Sequence, residues 1–169
     1  LEQIHHACRV QGLPFDGVVK ESAPSQYEIN MRHVDNPVLA ARQILMKKRA
    51  IKEIAQQHDL VASFMPKPFD DEAGNGLHVH CSVLDREGVN IFDDGTERGT
   101  FELRSAIGGC LQHMADSFAI FAPSFNAYRR FQKGSHAPTT PNWGYENRTV
   151  AVRVPAGSKK ARRLEHRVP

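Results

Sequence analysis

The sequence has little cysteine, and its three cysteines form no obvious pair. Cys8, Cys81 and Cys110 are far apart and without a CxxC spacing. This pattern argues against a disulfide framework and against a zinc ribbon, and it is typical of proteins in a reducing compartment. Long apolar runs are also missing, since none approaches the roughly 20 residues of a membrane helix, and no signal peptide precedes the first predicted helix. We therefore expect a cytoplasmic protein with no membrane partner.

A strong charge of either sign is absent as well. The formal net charge is +3 over 169 residues, which is too small to predict a nucleic-acid partner. The basic run KKARR at 159–163 fits either a solvated end or a nucleic-acid patch, and the surrounding acids favour the solvated end. The 40% hydrophobic content is typical of a globular chain long enough for one domain with a real core.

The pattern of helices and strands predicts an α+β fold. Helical patterns cover residues 1–10, 37–58 and 100–121, and Asn36 with Pro37 suits the start of the second. Strands are predicted at 16–21 and 26–32 around the turn SAPSQ, at 60–69 with two interrupting prolines, and at 77–84, 147–155 and 161–169. Their alternation predicts an antiparallel or mixed sheet with one apolar and one polar face, backed by two long helices.

The segment GNGLHVHCSVLD, residues 74–85, carries the first candidate site. Alternation assigns one face of its strand to the core, and that face holds Leu77, Val79, Cys81 and Val83. The other face holds His78, His80 and Ser82. Gly74 and Gly76 suit either a turn or a backbone that approaches a ligand closely. No GxxxxGK[ST] or GxSxG motif is present, so neither a P-loop nor a nucleophile elbow is predicted.

Carboxylates and arginines occupy the polar faces of other predicted strands. Glu21 ends one strand and Glu28 lies in the next, while Glu165 shares a face with Arg163 and Arg167. Three carboxylates and an imidazole suit Mg²⁺ or Mn²⁺, and neighbouring arginines suit phosphate or carboxylate oxygens. If these strands are neighbours, they predict a metal-bound nucleotide phosphate. The alternative is a solvated sheet face with interleaved charges, which alternation alone favours because such faces are common.

Five stretches in order resemble the glutamine synthetase superfamily. They are KESAPSQYEIN (20–30), ASFMPKPFDDEAGNGLHVHCSV (62–83), SFNAYRRF (124–131), NWGYENRTVAVRVP (142–155) and KKARRLEHRVP (159–169). Each stretch alone is modest evidence for the family. Five stretches in the same order across most of the chain are specific evidence for it. The residues of the motifs QYEIN, YRRF and LEHRVP are similar to those of the γ-glutamylpolyamine synthetase branch, whose members join glutamate to amines.

The resemblance implies a glutamine synthetase/guanido kinase-like catalytic domain with a curved sheet, of which residues 1–169 are an incomplete part. The family's N-terminal β-grasp domain, its first metal-ligand strand and its C-terminal tail are then absent from this chain. In the family, subunits assemble into a ring in which the β-grasp domain completes a neighbouring site. We expect a homo-oligomer, a dodecamer, and we expect the 169-residue chain alone to be inactive or very weak.

The resemblance also implies a role for individual residues. The expected metal ligands are Glu21, Glu28, His78 and Glu165. The expected groups around substrate glutamate are Gly74, Gly76, Arg130 and Arg148, with Arg167 as a further candidate. The expected groups around ATP are His80, Ser82, Arg153, Lys160 and Arg163. The implied reaction has two steps: the glutamate γ-carboxylate attacks the γ-phosphoryl group of ATP, and an amine then displaces phosphate from γ-glutamyl phosphate.

Two positions depart from the family pattern. Glutamine synthetases proper carry a glutamate six residues after the Arg130 equivalent, where this chain has His136. His136 is either a base toward an amine larger than ammonia or an exposed loop histidine. Ser25 stands where the family usually has glycine, which predicts a slightly strained turn.

Three functional hypotheses follow. The first is an ATP-dependent ligase of glutamate and an amine, and the second is an ammonia-using glutamine synthetase. The third is a non-catalytic relative that keeps the fold for assembly or regulation. Retention of the expected ligands and arginines argues against the third, because packing alone gives no reason to keep them.

Overall fold

The computed structural model describes residues 1–169, except for the side chain of Lys159 in the basic run noted above. The chain divides into two compact units, Leu1–Phe64 and Met65–Pro169. Helices occur in both units, together with an antiparallel sheet in the first and a mixed sheet in the second. The predicted α+β class is therefore confirmed. No helix among the described residues is long and apolar enough to cross a membrane.

The first unit is a hairpin flanked by two helices. Its elements are α1 (Glu2–Val10), β1 (Gly17–Lys20), β2 (Tyr27–Asn30) and α2 (Pro37–Gln56). Strands β1 and β2 are antiparallel, with Val19 opposite Glu28. The predicted start of α2 is confirmed, because the Asn36 side chain accepts a hydrogen bond from the Leu39 N–H and Pro37 opens the first turn.

The turn between β1 and β2 contains the predicted strained residue. The Gln26 N–H donates to the Ala23 carbonyl oxygen over 3.2 Å, so Pro24 and Ser25 are its two central residues. Ser25 has φ of +55°, a conformation that glycine adopts more readily than serine. Proline before a positive-φ residue is the arrangement of a type II turn.

The second unit is a four-stranded mixed sheet with helices. Its elements are β3 (Val79–Cys81), α3 (Phe101–Gln112), α4 (Met114–Phe121), α5 (Phe125–Tyr128), β4 (Trp143–Tyr145), β5 (Val152–Val154), a 3₁₀ turn (Lys159–Ala161) and β6 (Leu164–His166). The strand order is β3-β6-β5-β4, in which only β4 and β5 are parallel among the described pairs. This order brings residues near 80, 153 and 165 side by side.

One face of β5 and β6 packs against the helices and forms the core. The buried cluster comprises Phe92, Leu103, Ile107, Met114, Ala151, Val152, Val154, Leu164 and Val168. The predicted alternation in β6 is confirmed, since Leu164 and Val168 enter this core while Glu165 lies on the other face. That other face is not solvated, because Glu165 and Arg167 are also buried.

Three predictions about elements are wrong. Residues 60–69 form no strand, because Pro66 and Pro68 supply no N–H donors for a ladder. The Asn126 side chain takes the place of a strand partner there, accepting from the Lys67 N–H and donating to its carbonyl oxygen, each over 2.8 Å. The helix predicted over 100–121 is divided at His113, shortly after the weak helix formers Gly108 and Gly109.

The third wrong prediction concerns β3, which is shorter and more exposed than its sequence pattern suggests. The residues assigned to the core are instead exposed: Leu77, Val79, Cys81 and Val83. The reason lies in the strand order, because β3 is an edge strand. Helix α3 contacts β5 and β6 instead, so the apolar face of β3 extends past the core that this chain forms.

Candidate functional site

Three strands place one charged row across the polar face of the sheet. His80 in β3 lies opposite Glu165 in β6, and Glu165 lies opposite Arg153 in β5. Directly opposite residues of antiparallel strands project to the same face and lie close together. Strand pairing therefore joins three segments that are distant in sequence into one polar site in the second unit.

Glu165 is the centre of this site. Its side chain is 1% exposed, and its Oε1 atom accepts from Arg167 Nη1 over 2.8 Å and lies 3.1 Å from His78 Nδ1. Arg153 Nε donates to the other oxygen, Oε2. His80 Nε2 is more distant from Oε1, at 3.9 Å. Two of the predicted metal ligands, His78 and Glu165, are thus in direct contact.

The arginines and His78 keep Glu165 ionised although it is buried. Burial by itself raises the pKa of a carboxyl group, because it disfavours the charged form. The hydrogen bond with His78 and the charges of Arg167 and Arg153 outweigh burial, and together they lower the pKa of Glu165 from 4.5 to about 2. At neutral pH the site therefore holds a fixed carboxylate between two guanidinium groups.

His80 is oriented by Arg163. Arg163 Nε donates to His80 Nδ1 over 3.0 Å, so the ring proton of neutral His80 resides on Nε2, facing Glu165. The pKa of His80 is lowered, first by burial, which outweighs the attraction of Glu165, and further by the charge of Arg163. His80 is thus a neutral imidazole at neutral pH.

The GNG loop lies against Arg130. A Cβ atom added at Gly74 would be 2.7 Å from the Pro66 carbonyl oxygen and 2.9 Å from Arg130 Cγ, and one added at Gly76 would be 3.0 Å from Arg130 Nη2 and from His78 Nε2. Any side chain at Gly74 therefore forces backbone or Arg130 to move. The two glycines lie close to Arg130 in this structure, and the predicted approach of their backbone to substrate glutamate stays a prediction.

Arg130 itself is buried and partly engaged. Its Nη1 and Nη2 atoms donate to the carbonyl oxygens of Val168 and Pro169 over 3.2 and 3.3 Å. The Leu77 N–H donates to the same Pro169 oxygen over 2.9 Å. Burial, and then the charge of Arg167, lower the pKa of Arg130. The guanidinium is therefore fixed beside the GNG loop with donors remaining for a ligand.

The other predicted ligands, Glu21 and Glu28, belong to the first unit. Glu21 follows β1, and its N–H donates to the Gln26 carbonyl oxygen over 3.0 Å, which continues the ladder. Because Val19 is opposite Glu28, the register places Glu21 and Glu28 on one face of the hairpin. Their role as metal ligands stays a prediction.

The donor types fit a divalent ion only in part. Among the described side chains, no three histidines, cysteines, aspartates or glutamates are grouped as a metal site. His78 and Glu165 supply one imidazole and one carboxylate, which suit Mn²⁺ or Mg²⁺. His78 Nδ1 lies 3.1 Å from Glu165 Oε1, so these two donor atoms are close together.

Four further predicted residues are not among the described hydrogen-bond or ion-pair partners of Glu165. Ser82, His136, Arg148 and Lys160 are exposed. Arg148 is still near enough for its charge to contribute to the lowered pKa of Arg167, which burial lowers most. His136 lies in a loop, as one of its two interpretations expected.

Asn90 supports the site, and the sequence did not predict this role. Asn90 is buried, and its Nδ2 atom donates to the carbonyl oxygens of Lys160 and Arg162 over 3.2 and 2.7 Å. It thereby holds the loop that leads to Arg163 and Glu165. No local pattern signals this role, because its partners lie about 70 residues away in sequence.

Comparisons with known proteins agree with one another on the family of this chain. A family model described as "Glutamine synthetase, catalytic domain" matches residues 1–169. The chain is 39% identical to gamma-glutamylputrescine synthetase PuuA of Escherichia coli (strain K12) over 168 residues, which cover 99% of this chain and 36% of that protein. It is 39% identical to the glutamine synthetase of Pyrococcus horikoshii over 158 residues, covering 94% of this chain and 35% of the relative.

A glutamine synthetase of Methanocaldococcus jannaschii is 40% identical over 151 residues, covering 88% of this chain and 33% of the relative. The chain therefore spans about a third of the length of these curated relatives. With the family model matching from the first residue to the last, the chain belongs to the glutamine synthetase catalytic-domain family.

Proposed function

We propose that the protein containing this chain is an ATP-dependent carbon–nitrogen ligase that joins the γ-carboxyl group of glutamate to an amine. The proposal rests on the surroundings of Glu165, a buried carboxylate that contacts His78, Arg153 and Arg167. The chain that holds it belongs to the glutamine synthetase family. Because glutamate and ATP are both anions, their reaction requires positively charged groups that neutralise the negative charge.

The chain's metal ligands in this proposal are Glu21, Glu28, His78 and Glu165. When bound by these residues, Mg²⁺ or Mn²⁺ would neutralise phosphate charge and help to orient the transferred group. Glu165 suits the role because it stays ionised well below neutral pH. His78 suits it because imidazole nitrogen binds such ions and its Nδ1 atom lies beside the Glu165 carboxylate.

Arginines hold the two anionic reactants. Arg130, with the adjoining glycines Gly74 and Gly76, and Arg148 bind substrate glutamate, and Arg167 assists. The ATP phosphates are held by Arg153, Lys160 and Arg163, with His80 and Ser82 near the nucleotide. A guanidinium fork binds two oxygens of a carboxylate or phosphate at once, which aligns the reactants as well as neutralising them.

In the first step, an oxygen of the glutamate γ-carboxylate attacks the γ-phosphorus of ATP, and ADP leaves. In the second, the amine nitrogen attacks the γ-carbonyl carbon, and phosphate leaves with the former carboxylate oxygen. A base takes the proton from the amine. His136 is the candidate base, since its ring is exposed and imidazole is the most frequent general base in enzymes.

Sequence identity does not separate an amine from ammonia as nucleophile. The match to the putrescine-using relative and the match to the Pyrococcus glutamine synthetase are both 39% identical. His136 supports the amine, because the ammonia-using branch carries a glutamate at this position. A homo-oligomeric ring, a dodecamer, in the cytoplasm is part of the same proposal and rests on the family alone.

An oxygen-transfer experiment tests the proposed intermediate. The intact gene product is incubated with ATP, Mg²⁺, an amine and glutamate labelled with ¹⁸O in both γ-carboxylate oxygens. The proposal predicts one ¹⁸O atom in each phosphate released, measured by mass spectrometry. Phosphate without ¹⁸O would show attack by water on ATP, and the absence of any turnover would support the non-catalytic hypothesis.

His136→Ala tests the proposed base. We expect amide formation with amines to fall about tenfold or more, while formation of γ-glutamyl phosphate, trapped with hydroxylamine, stays within about twofold. His113→Ala, also an exposed histidine, is the matched control and is expected to change neither rate. An unchanged rate of amide formation with every amine would leave His136 as an ordinary loop residue.

A further inference from the structure

Asn126 ties two distant segments of the second unit together. Its side-chain oxygen accepts from the Lys67 N–H and its side-chain nitrogen donates to the Lys67 carbonyl oxygen, each over 2.8 Å, across 59 positions of sequence. A carboxamide carries an acceptor and donors side by side, so it can bond both backbone groups of one residue. The backbone at Lys67 is therefore fixed in position and direction against helix α5, which contains Asn126.

Two carbonyl groups next to Lys67 hold the GNG loop, residues 74–76. The Asn75 N–H donates to the Pro66 carbonyl oxygen over 2.7 Å, and Asn75 Nδ2 donates to the Met65 carbonyl oxygen over 2.8 Å. The loop is thus anchored on the backbone that α5 holds.

Arg130 lies on the other side of the same connection. It follows α5 by two positions, and its N–H donates to the Ala127 carbonyl oxygen over 3.2 Å, so its backbone is tied to that helix. A Cβ atom added at Gly74 would be 2.9 Å from Arg130 Cγ, so the loop and the arginine are already in close contact. The bonds of Asn126 therefore link the two parts of the proposed glutamate site, Arg130 and the GNG loop.

We propose that Asn126 is a positioning residue for substrate glutamate, because its amide sets the distance between the Arg130 guanidinium and the GNG loop. This inference rests on the proposed function, which assigns Arg130, Gly74 and Gly76 to glutamate. Asn126 acts through Lys67 on the backbone that carries the loop. A shift of about 1 Å in a binding group can reduce its effect about a hundredfold. Loss of the clamp therefore weakens glutamate binding, whereas the groups proposed for ATP lie on or beside β3, β5 and β6 and keep their places.

A split between two Michaelis constants tests the role. Asn126→Asp keeps the size of the side chain and the acceptor for the Lys67 N–H, but its second oxygen repels the Lys67 carbonyl oxygen. In the intact gene product we expect the KM for glutamate to rise about tenfold or more, with the KM for ATP changed less than about twofold. A purely structural defect reduces the amount of active enzyme, which lowers the apparent kcat and leaves both KM values unchanged.

Asn36→Ala is the matched control. Like Asn126, Asn36 bonds a backbone group through its side chain, the Leu39 N–H at 3.0 Å, but it does so in the first unit. Its removal weakens the cap of α2 and is expected to change each KM less than about twofold. An unchanged KM for glutamate in Asn126→Asp would overturn the positioning role, and so would an equal rise in both KM values.

Hydrogen exchange of the unsubstituted protein supplies a measurement that needs no variant. If the clamp favours glutamate binding, glutamate must favour the clamp by the same factor. With ADP and Mg²⁺ in both samples, glutamate at about ten times its Kd should slow exchange of the Lys67 and Asn75 amides about tenfold. Mass spectrometry of peptides covering 65–76 measures this, and the Leu39 amide should exchange equally fast in both samples. Equal exchange at 65–76 with and without glutamate would overturn the inference.

The ligase proposal is judged separately, by the ¹⁸O transfer. Turnover with ¹⁸O transfer but without the KM split would reject the positioning role of Asn126 and keep the ligase. Absence of ¹⁸O transfer in the unsubstituted protein would reject the ligase, and the positioning role would fall with it.

Discussion

At the scale of single residues, the chemistry is concentrated on Glu165. Its position on a polar strand face follows from alternation, and so does its sharing of that face with Arg167. Alternation does not predict that Arg153 and His78 contact the same carboxylate, because the sequence does not show which strands are neighbours. The strand order also buries this face, whereas alternation alone favoured a solvated one.

Substituting Glu165 by glutamine should destabilise the protein. Glu165→Gln leaves Arg153 and Arg167 buried without their anion, which costs about 3 kcal/mol of unfolding free energy. Denaturant unfolding of the intact gene product measures the loss. Glu87→Gln, at an exposed glutamate, is the control and should change stability by no more than about 0.5 kcal/mol. A loss as small as that of the control would mean that the arginines find other partners.

The same substitution should lose its effect in acid. Glu165 has its pKa lowered from 4.5 to about 2, so the folded state favours the ionised form. Its contribution to stability is fully present above pH 4.5 and declines as the pH falls toward 2. Melting temperatures of the unsubstituted and Glu165→Gln proteins should therefore differ most above pH 4.5 and converge below it. A difference that grows in acid would contradict the assignment.

Gly74 should tolerate no side chain. In Gly74→Ala the new Cβ atom meets the Pro66 carbonyl oxygen and Arg130, so Arg130 shifts and the KM for glutamate should rise about tenfold or more. Gly109→Ala is the control, because a Cβ atom there meets nothing within 4 Å and alanine favours the helix. Steady-state kinetics of the intact gene product compare them, and equal KM values would contradict the role of the loop.

At the scale of elements, the helices were easier to predict than the strands. Asn36 and Pro37 mark the start of α2 by local chemistry, and the structure begins it there. The strand at 77–84 shortens to Val79–Cys81, since its length depends on pairing with β6, which is distant in sequence. Local signals thus determine caps and turns, while tertiary pairing determines strand ends.

The turn before β2 offers a stabilising substitution. Ser25 has φ of +55°, so Ser25→Gly should relieve backbone strain and raise the free energy of unfolding by about 0.5–1 kcal/mol. Ser22→Gly is the matched control, because Ser22 is not among the described residues with positive φ and gains only unfolded-state freedom. Denaturant unfolding distinguishes them, and a loss of stability in Ser25→Gly would show that its serine side chain outweighs the strain.

At the scale of the whole molecule, family and α+β class follow from the sequence because five motifs recur in a set order. The exposure of the apolar face of β3 does not follow from the sequence, because it depends on β3 being an edge strand. The chain covers about a third of its curated relatives, and the amine-ligase activity is therefore a property proposed for the intact gene product.

The most direct test of that activity is the choice of nucleophile. Phosphate release by the intact gene product is measured with ATP, Mg²⁺ or Mn²⁺ and glutamate, against ammonium, putrescine, ethanolamine and other amines at matched concentrations. We predict a kcat/KM for at least one amine well above that for ammonium. A preference for ammonium would contradict the account and identify an ammonia-using glutamine synthetase.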